Sequence, residues 1–211
     1  PPDWFRLSEF CSAYYQVPLG EVMLSTLPAG LRRLNPPQAR ASRNRAKLPP
    51  AHEPPQLTAE QEIALQRIVE SGSGFKAYLL HGVTGSGTTE VYLRLVERAL
   101  AAGQQALLLV PEINLTPQLE ARIAARFPDA GLVSLHSELT EAARTRNWKA
   151  ALDGTARIVL GTRLAIFTPL PELGLIIVDE EHDPSFKQQD GMRYSARDVA
   201  VFRARDRGVP I

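Results

Sequence analysis

Short continuous hydrophobic runs alternate with stretches of helical periodicity along most of this chain. The hydrophobic runs are too short for helices and predict buried strands at residues 76–81, 106–110, 132–136, 156–160 and 173–178. Apolar residues spaced three or four apart predict helices at 4–15, 20–27, 58–70, 88–101, 116–127, 140–152 and 195–207. Thr58, with Gln61 three residues later, predicts a capping box at the start of the third of these helices. Residues 209–211 resemble the start of one more strand. This alternation predicts an α/β fold: a parallel sheet with helices on both faces.

The pattern divides the chain into three parts. Residues 1–34 are a short helical segment, too small to be a domain, and residues 57–211 carry the strand and helix alternation. Residues 35–56 between them are rich in proline and read as a linker. Six basic residues and no acid lie within 31–52, which fits either contact with nucleic-acid phosphates or a solvated linker that binds nothing.

Composition excludes several classes of protein. The 211 residues include one cysteine, Cys11, so an intrachain disulfide is impossible. The cysteine and four dispersed histidines form no zinc-ligand pattern, and no apolar run is long enough to span a membrane. The chain begins with Pro-Pro-Asp-Trp rather than Met, and we therefore expect a fragment of a longer protein.

A glycine-rich turn between a predicted strand and a predicted helix is the first candidate site. It consists of Gly82, Val83, Thr84, Gly85, Ser86, Gly87, Thr88 and Thr89. In a phosphate-binding loop, backbone N–H groups surround phosphate oxygens and the last hydroxyl, here that of Thr89, binds Mg²⁺. Such loops carry a lysine where this chain has Thr88, so weak ATP binding and slow hydrolysis are expected. A plain glycine-rich turn is the alternative, and a dinucleotide-binding fold fits worse because the glycine spacing differs.

Acidic residues at the end of another predicted strand form the second candidate site. Asp179, Glu180, Glu181 and His182 directly follow the run 173–178. The carboxyl ends of parallel strands face the ligand crevice. Asp179 is therefore placed to hold Mg²⁺, and Glu180 to orient and deprotonate an attacking water.

The two motifs together resemble those of superfamily 2 helicases, and their surroundings resemble the replication-restart helicases of the PriA type. The resemblance covers residues 57–211, with additional matches at Tyr14-Tyr15 and Pro18-Leu19-Gly20. It is carried by residues 81–87, 89–93, 110–113, 115–118, 136–137, 161–163, 167–169, 179–182, 186–189 and 193–198. It implies a RecA-like ATP-binding lobe, here incomplete, of a 3′–5′ DNA helicase that restarts replication.

The resemblance also implies roles for single residues. Gln61 would read the adenine, and His182 would couple the nucleotide site to DNA. The residues implied in DNA backbone contact are Pro111, Glu112, Thr116, Thr162 and Arg163. Those implied in sensing single-stranded DNA are Phe186, Lys187, Arg193, Tyr194 and Arg197, for which a core Phe and Tyr in a solvated charged turn is the alternative. ATP and Mg²⁺ are the implied cofactors. Single-stranded and forked DNA, single-strand-binding protein and primosome proteins are the implied partners, in the nucleoid-associated cytoplasm of a bacterium.

The chain departs from that family in ways that keep a second hypothesis open. The linker is too short for the family's winged-helix domain, and the second motor lobe and the zinc-binding cysteines are missing from these residues. The chain alone should therefore not unwind DNA. Together with Thr88, these departures leave open an ATPase-deficient scaffold that binds DNA and loads replication proteins.

Overall fold

The computed structural model describes residues 1–32, 55–70, 72, 74–83 and 85–211. Nearly all of the predicted linker, together with Thr84, lies outside these residues. The helices are α1 (Pro2–Tyr15), α2 (Leu19–Thr26), α3 (Ala59–Glu70), α4 (Thr88–Ala101), α5 (Pro117–Arg126), α6 (Glu141–Leu152) and α7 (Ala196–Arg207). The strands are β1 (Gln105–Leu109), β2 (Leu132–Leu135), β3 (Ile158–Gly161) and β4 (Leu173–Val178).

The four strands form one parallel sheet in the order β2-β3-β1-β4. Alternate residues of the buried strands point to opposite faces and build two cores. Leu107, Leu109 and Val159 pack with α1, α2, α6 and α7, whereas Leu108, Leu160 and Ile177 pack with α4 and α5. The predicted α/β class with helices on both faces is confirmed.

The segment 76–81 differs from its prediction as a buried strand. The structure assigns it no strand, and Leu79 is 78% exposed. Tyr78 N–H donates to the Ile211 carbonyl at 2.9 Å, and Ile211 N–H donates to the Lys76 carbonyl at 3.0 Å. Pro210 in turn accepts a bond from Ile176 of β4. Residues 210–211 therefore lie between β4 and this segment, and two bonds to one neighbouring residue are too few for a regular ladder.

The N-terminal helices pack directly on the strand-and-helix unit. The Phe10 and Phe202 rings stack with centroids 3.7 Å apart, and Arg6 Nε lies 2.9 Å from Asp206 Oδ1. Leu7, Cys11 and Val22 are buried in the same core as β1 and β3. Residues 1–32 thus form one layer of this unit. That they are also the tail of a DNA-binding domain stays a prediction.

Cys11 provides a direct test of this packing. Its side chain is fully buried on α1, and burial raises the pKa of its thiol to about 12. Because the thiolate is the reactive form, the native chain should react with a thiol reagent at least about 100-fold more slowly than the urea-unfolded chain. Stopped-flow measurement with Ellman's reagent at pH 8 checks this. Equal rates in the two states would show that α1 does not pack as described.

The described residues contain neither a membrane-spanning helix nor a cluster of metal ligands. Among those residues there is no helix with the length and apolar character needed to cross a bilayer. Nor do three or more His, Cys, Asp or Glu side chains gather there as metal ligands.

Candidate nucleotide and DNA sites

The glycine-rich turn closes tightly before α4. Gly85 and Gly87 adopt positive φ angles of 84° and 77°, which L side chains rarely adopt. Ser86 N–H donates to the Val83 carbonyl at 2.9 Å. A Cβ added to Gly82 would lie 2.4 Å from Ser86 Oγ, so the side chains of the turn lie close over the Gly82 backbone. The turn delivers the chain into the N-terminus of α4, where the helix dipole favours an anion such as phosphate.

Gln61 connects α3 to this turn. Thr58 and Gln61 form a capping box: Gln61 N–H donates to Thr58 Oγ1 at 3.3 Å, and Thr58 N–H donates to Gln61 Oε1 at 2.9 Å. The other end of the Gln61 amide, Nε2, donates to the Ser86 carbonyl at 2.8 Å. The capping box predicted from the sequence is confirmed, and the same side chain lies against the phosphate-binding turn.

Thr88 and Tyr92 occupy the space between the turn and β4. A Cβ on Gly82 would lie 2.9 Å from Thr88 Cγ2, so the side chain at position 88 extends over the turn. Tyr92, one helical turn later, lies beside Thr88 and lines a small cavity together with Asp179. Burial, followed by the charge of Asp179, raises the pKa of Tyr92 to about 12. Tyr92 thereby joins the two sequence motifs.

The acidic strand end lies beside this tyrosine. Asp179 N–H donates to the Leu109 carbonyl at 2.9 Å, which continues the β1-β4 ladder by one residue. Burial, and then the charge of Glu180, raises the pKa of Asp179. Thr89, Tyr92 and Asp179 line one small cavity, so a hydroxyl and a carboxylate suited to Mg²⁺ are brought together. A bound cation would offset the charge repulsion that Asp179 experiences there.

Glu180 has an unusual backbone conformation. Its φ is 47°, one of two positive values among non-glycine residues of the described chain. Its carbonyl accepts a hydrogen bond from Asp183 N–H at 2.8 Å, which closes a tight turn. Such conformations in non-glycine residues cost free energy and concentrate at functional sites. The Glu180 side chain is exposed and lies just beyond the carboxyl end of β4, next to Asp179.

The predicted DNA-contact residues of the central loops divide into two groups. Glu112, Thr162 and Arg163 line a cavity of about 390 Å³ at the same edge of the sheet. Pro111 is buried behind β1, and Thr116 caps α5 by accepting a bond from Leu119 N–H at 3.2 Å. Arg163 Nη1 donates to the carbonyls of Ser185 and Lys187 at 2.7 and 3.2 Å, which ties the two loops together.

Phe186 and Tyr194 differ from their prediction as base-stacking residues. Both rings lie in the core, with 2% and 3% exposure, and Tyr194 packs edge-on against Phe167. Large aromatic rings gain stability by burying apolar area, and these two rings pack against core side chains rather than standing free to stack on bases. The alternative, a core Phe and Tyr within a charged turn, describes these two residues in this structure.

The charged residues of the same segment are exposed. Lys187 Nζ donates to the Arg193 carbonyl at 2.5 Å and lies 5.7 Å from the centre of the Tyr15 ring. Arg197 pairs with Glu181 at 2.9 Å. His182 lies exposed in the turn after β4. Within the part of the chain that the structure describes, no hydrogen bond or ion pair joins His182 to a nucleotide-site residue, and its coupling role stays a prediction.

Sequence analysis missed two polar residues at this site, the buried Glu90 and the partly buried Tyr92. Glu90, directly after Thr89, is 5% exposed and lies 3.2 Å from Arg94 and 3.6 Å from Arg126, so it links α4 to α5. Tyr92 was also missed, although its spacing of four residues from Thr88 places both on one face of a helix, which is a usable signal. Glu90 gave no such signal, because its arginine partner on α5 is distant in the sequence.

The sequence of this chain is similar to those of known helicases and replication restart proteins. A model of the DEAD/DEAH box helicase family matches residues 58–208. Replication restart protein PriA of Haemophilus influenzae is 47% identical over 155 residues, 74% of this chain and 21% of that protein. The PriA of Bacillus subtilis is 45% identical over 75% of this chain and 20% of that protein. The PriA of Synechocystis is 52% identical over 73% of this chain and 18% of that protein.

The matches cover most of this chain but a small part of each relative. This chain spans about a fifth of the length of these PriA relatives. The family match at 58–208 includes Gln61, the glycine-rich turn and the acidic strand end, and excludes α1 and α2. Since the match covers more than half of the residues and contains both motifs, the chain belongs to the DEAD/DEAH box helicase family.

Proposed function

We propose that this chain is the first motor lobe of an ATP-dependent DNA helicase of the PriA type. The observation that carries the proposal is the meeting of two distant motifs at one sheet edge. Thr89 at the end of the glycine-rich turn, Tyr92 of α4 and Asp179 of the acidic strand end line one small cavity. A nucleotide triphosphate with its metal ion is the ligand that needs a phosphate cradle and a carboxylate side by side.

The described residues suggest a division of labour in the nucleotide site. Backbone N–H groups of residues 82–89 hold phosphate oxygens, and Thr89 and Asp179 hold Mg²⁺. When bound, the cation neutralises charge on the phosphates. Glu180 orients a water and accepts its proton, and Gln61 contacts the adenine from its place against the turn. Support for these roles comes from the Gln61–Ser86 bond and from the cavity shared by Thr89 and Asp179.

Single-stranded DNA is the proposed macromolecular substrate. Arg163, Glu112 and Thr162 share the cavity edge, and the exposed cations Lys187, Arg193 and Arg197 extend the surface beside it. Cations that follow the phosphate backbone bind DNA without sequence preference. His182 stands in the turn between this surface and the nucleotide site, which suits its proposed coupling role.

The parent protein would act at stalled replication forks in the bacterial cytoplasm, associated with the nucleoid. The relatives named above are called replication restart proteins, which supports a role in restarting replication. 3′–5′ helicase activity and the recruitment of single-strand-binding protein and primosome proteins belong to the same proposal. Zinc would belong to other parts of such a parent.

Thr88 favours a second candidate function. A neutral side chain occupies the place where phosphate-binding loops carry a lysine, and the site thereby loses a cation beside the phosphates. A scaffold that binds forked DNA and loads replication proteins without hydrolysing ATP would tolerate this change. The two candidates share the DNA surface and differ only in nucleotide turnover.

The DNA surface is tested by Arg163→Gln. Glutamine keeps an amide donor for the Ser185 and Lys187 carbonyls but removes the charge. Affinity for a labelled thymidine decamer, measured by fluorescence anisotropy, should fall about tenfold, and the slope of log affinity against log salt should fall by about one. Arg98→Gln on the exposed face of α4 is the matched control and should leave both values unchanged. Equal loss in both variants, or none in either, would contradict the proposed surface.

A further inference from the structure

The cavity of about 390 Å³ has one wall that the helicase-family match does not include. Thr26, Leu27, Pro28 and Arg32, from the end of α2 onward, form that wall. The loops that follow β1, β2 and β3 form the opposite wall, and residues 188–194 close a third side. The volume lies in the range that encloses small-molecule-sized groups. The cavity therefore belongs jointly to the N-terminal segment and the motor lobe.

Specific contacts hold the N-terminal wall in position. Ala29 N–H donates to Glu141 Oε2 on α6 at 3.0 Å. A Cβ added to Gly30 would lie 2.4 Å from Thr145 Oγ1, so the backbone at Gly30 lies close against α6. Arg32 Nε and Nη2 donate to the Leu27 carbonyl at 3.0 and 2.8 Å, which orients its guanidinium toward the turn. The wall is built into the fold through backbone and side-chain contacts with α6.

The lining is electrically balanced rather than basic. Its charged side chains are Arg32, Arg144, Arg163, Glu21, Glu112 and Asp190. Three cations and three carboxylates cancel, so the interior does not select a phosphate. Apolar surface from Leu27, Leu135 and Met192 completes the lining. Such a mixture suits a flat, neutral group with apolar faces and hydrogen-bonding edges.

A buried donor beside the cavity points the same way. Trp148 lines the cavity, is 9% exposed, and its ring nitrogen Nε1 has no hydrogen-bond partner among the described residues. Buried donors are nearly always paired in folded proteins. This unpaired N–H adds a hydrogen-bond donor to the residues around the cavity.

We propose that this cavity receives the base of one unpaired nucleotide of single-stranded DNA, with the adjoining phosphate on Arg163 at the rim. The inference rests on the proposed DNA-binding function and adds a base-accepting site whose outer wall is the N-terminal segment. All four bases present apolar faces and both kinds of hydrogen-bonding group, so the site accepts any of them. Binding of the base then also holds α2 against the motor lobe.

Filling the cavity tests this proposal. Ser25 is exposed on α2 and lines the cavity, so Ser25→Trp places bulk there without changing charge. Ala13→Trp on the exposed face of α1 is the matched control. Each 211-residue chain is titrated with a labelled thymidine decamer and with a decamer of abasic sugar-phosphate units. The unsubstituted chain and Ala13→Trp should bind the thymidine strand about tenfold more tightly than the abasic one.

In Ser25→Trp that preference should fall below about twofold, with affinity for the abasic strand unchanged. A preference retained in Ser25→Trp, or absent in the unsubstituted chain, overturns the base site. Arg163→Gln separates this failure from failure of the proposed function. If Arg163→Gln weakens binding of both strands while Ser25→Trp changes nothing, DNA binds this surface without placing a base in the cavity. If Arg163→Gln changes nothing, the DNA surface itself is wrong.

Discussion

Thr88→Lys should tighten Mg·ATP binding about tenfold to a hundredfold, as measured by isothermal titration calorimetry. A charged hydrogen bond contributes about 1.5–3 kcal/mol, and the substitution adds a cation beside several phosphate charges. The geometry allows it, because the position-88 side chain already extends over Gly82 at the mouth of the turn. Binding is a better readout than hydrolysis, since turnover in such motors needs a second lobe.

Thr88→Met controls for side-chain length without charge and should bind Mg·ATP no better than the unsubstituted chain. If the lysine and methionine variants bind alike, the backbone N–H groups suffice, and the charge at position 88 matters only for catalysis. If no variant binds, the scaffold function gains support over the motor function. The substitution also changes the surroundings of Tyr92 one helical turn along α4, so the stability of each variant is measured alongside.

Arg203→Met should lower the free energy of unfolding by about 2–4 kcal/mol. Arg203 is 4% exposed on α7, and burial lowers the pKa of its guanidinium to about 10, so it stays charged at neutral pH. Its Nη1 and Nη2 donate to the carbonyls of Ile166 and Thr168 at 2.6 and 2.7 Å. Methionine fills similar space but leaves both buried carbonyls unpaired. The free-energy cost of these unpaired acceptors exceeds the gain from no longer burying a charged guanidinium.

Urea denaturation measures this effect, with Arg205→Met as the control, since Arg205 is exposed on the same helix. The control should change stability by less than about 0.5 kcal/mol. Equal stability of the two variants would mean that the Arg203 bonds do not hold α7 to the loop at 163–167. That loop begins at Arg163, so Arg203→Met should also weaken DNA binding at temperatures well below unfolding.

Local signals were sufficient where neighbouring residues in the chain decide the structure. The capping box of Thr58 and Gln61 depends on a spacing of three residues, and the structure reproduces it. The strand predicted at 173–178 has the same bounds in the structure, because its run of apolar residues fits a strand that is buried over nearly its whole length. Helix bounds agree within one or two residues because capping residues such as Thr116, Thr140 and Ser195 mark their starts.

Distant contacts decided the rest. The segment 76–81 has the apolar pattern of a strand, yet a strand also needs a backbone ladder with a neighbouring strand, and the structure assigns none to this segment. Phe186 and Tyr194 carry the side chains expected of a base-binding loop, yet the core behind Phe167 takes both rings. A hydrophobic pattern predicts that a residue can be buried, but tertiary packing decides which residues it is buried against.

The sequence by itself determined the α/β class, the glycine-rich turn, the acidic strand end and the unusual Thr88, because each depends on residues adjacent in the chain. The tertiary structure alone brought Tyr92 between Thr88 and Asp179 and placed Arg203 under the Arg163 loop. It also made the N-terminal helices one wall of the cavity at the DNA-facing edge. These juxtapositions join residues that are tens to more than a hundred positions apart, and sequence spacing carries no information about contacts at that distance.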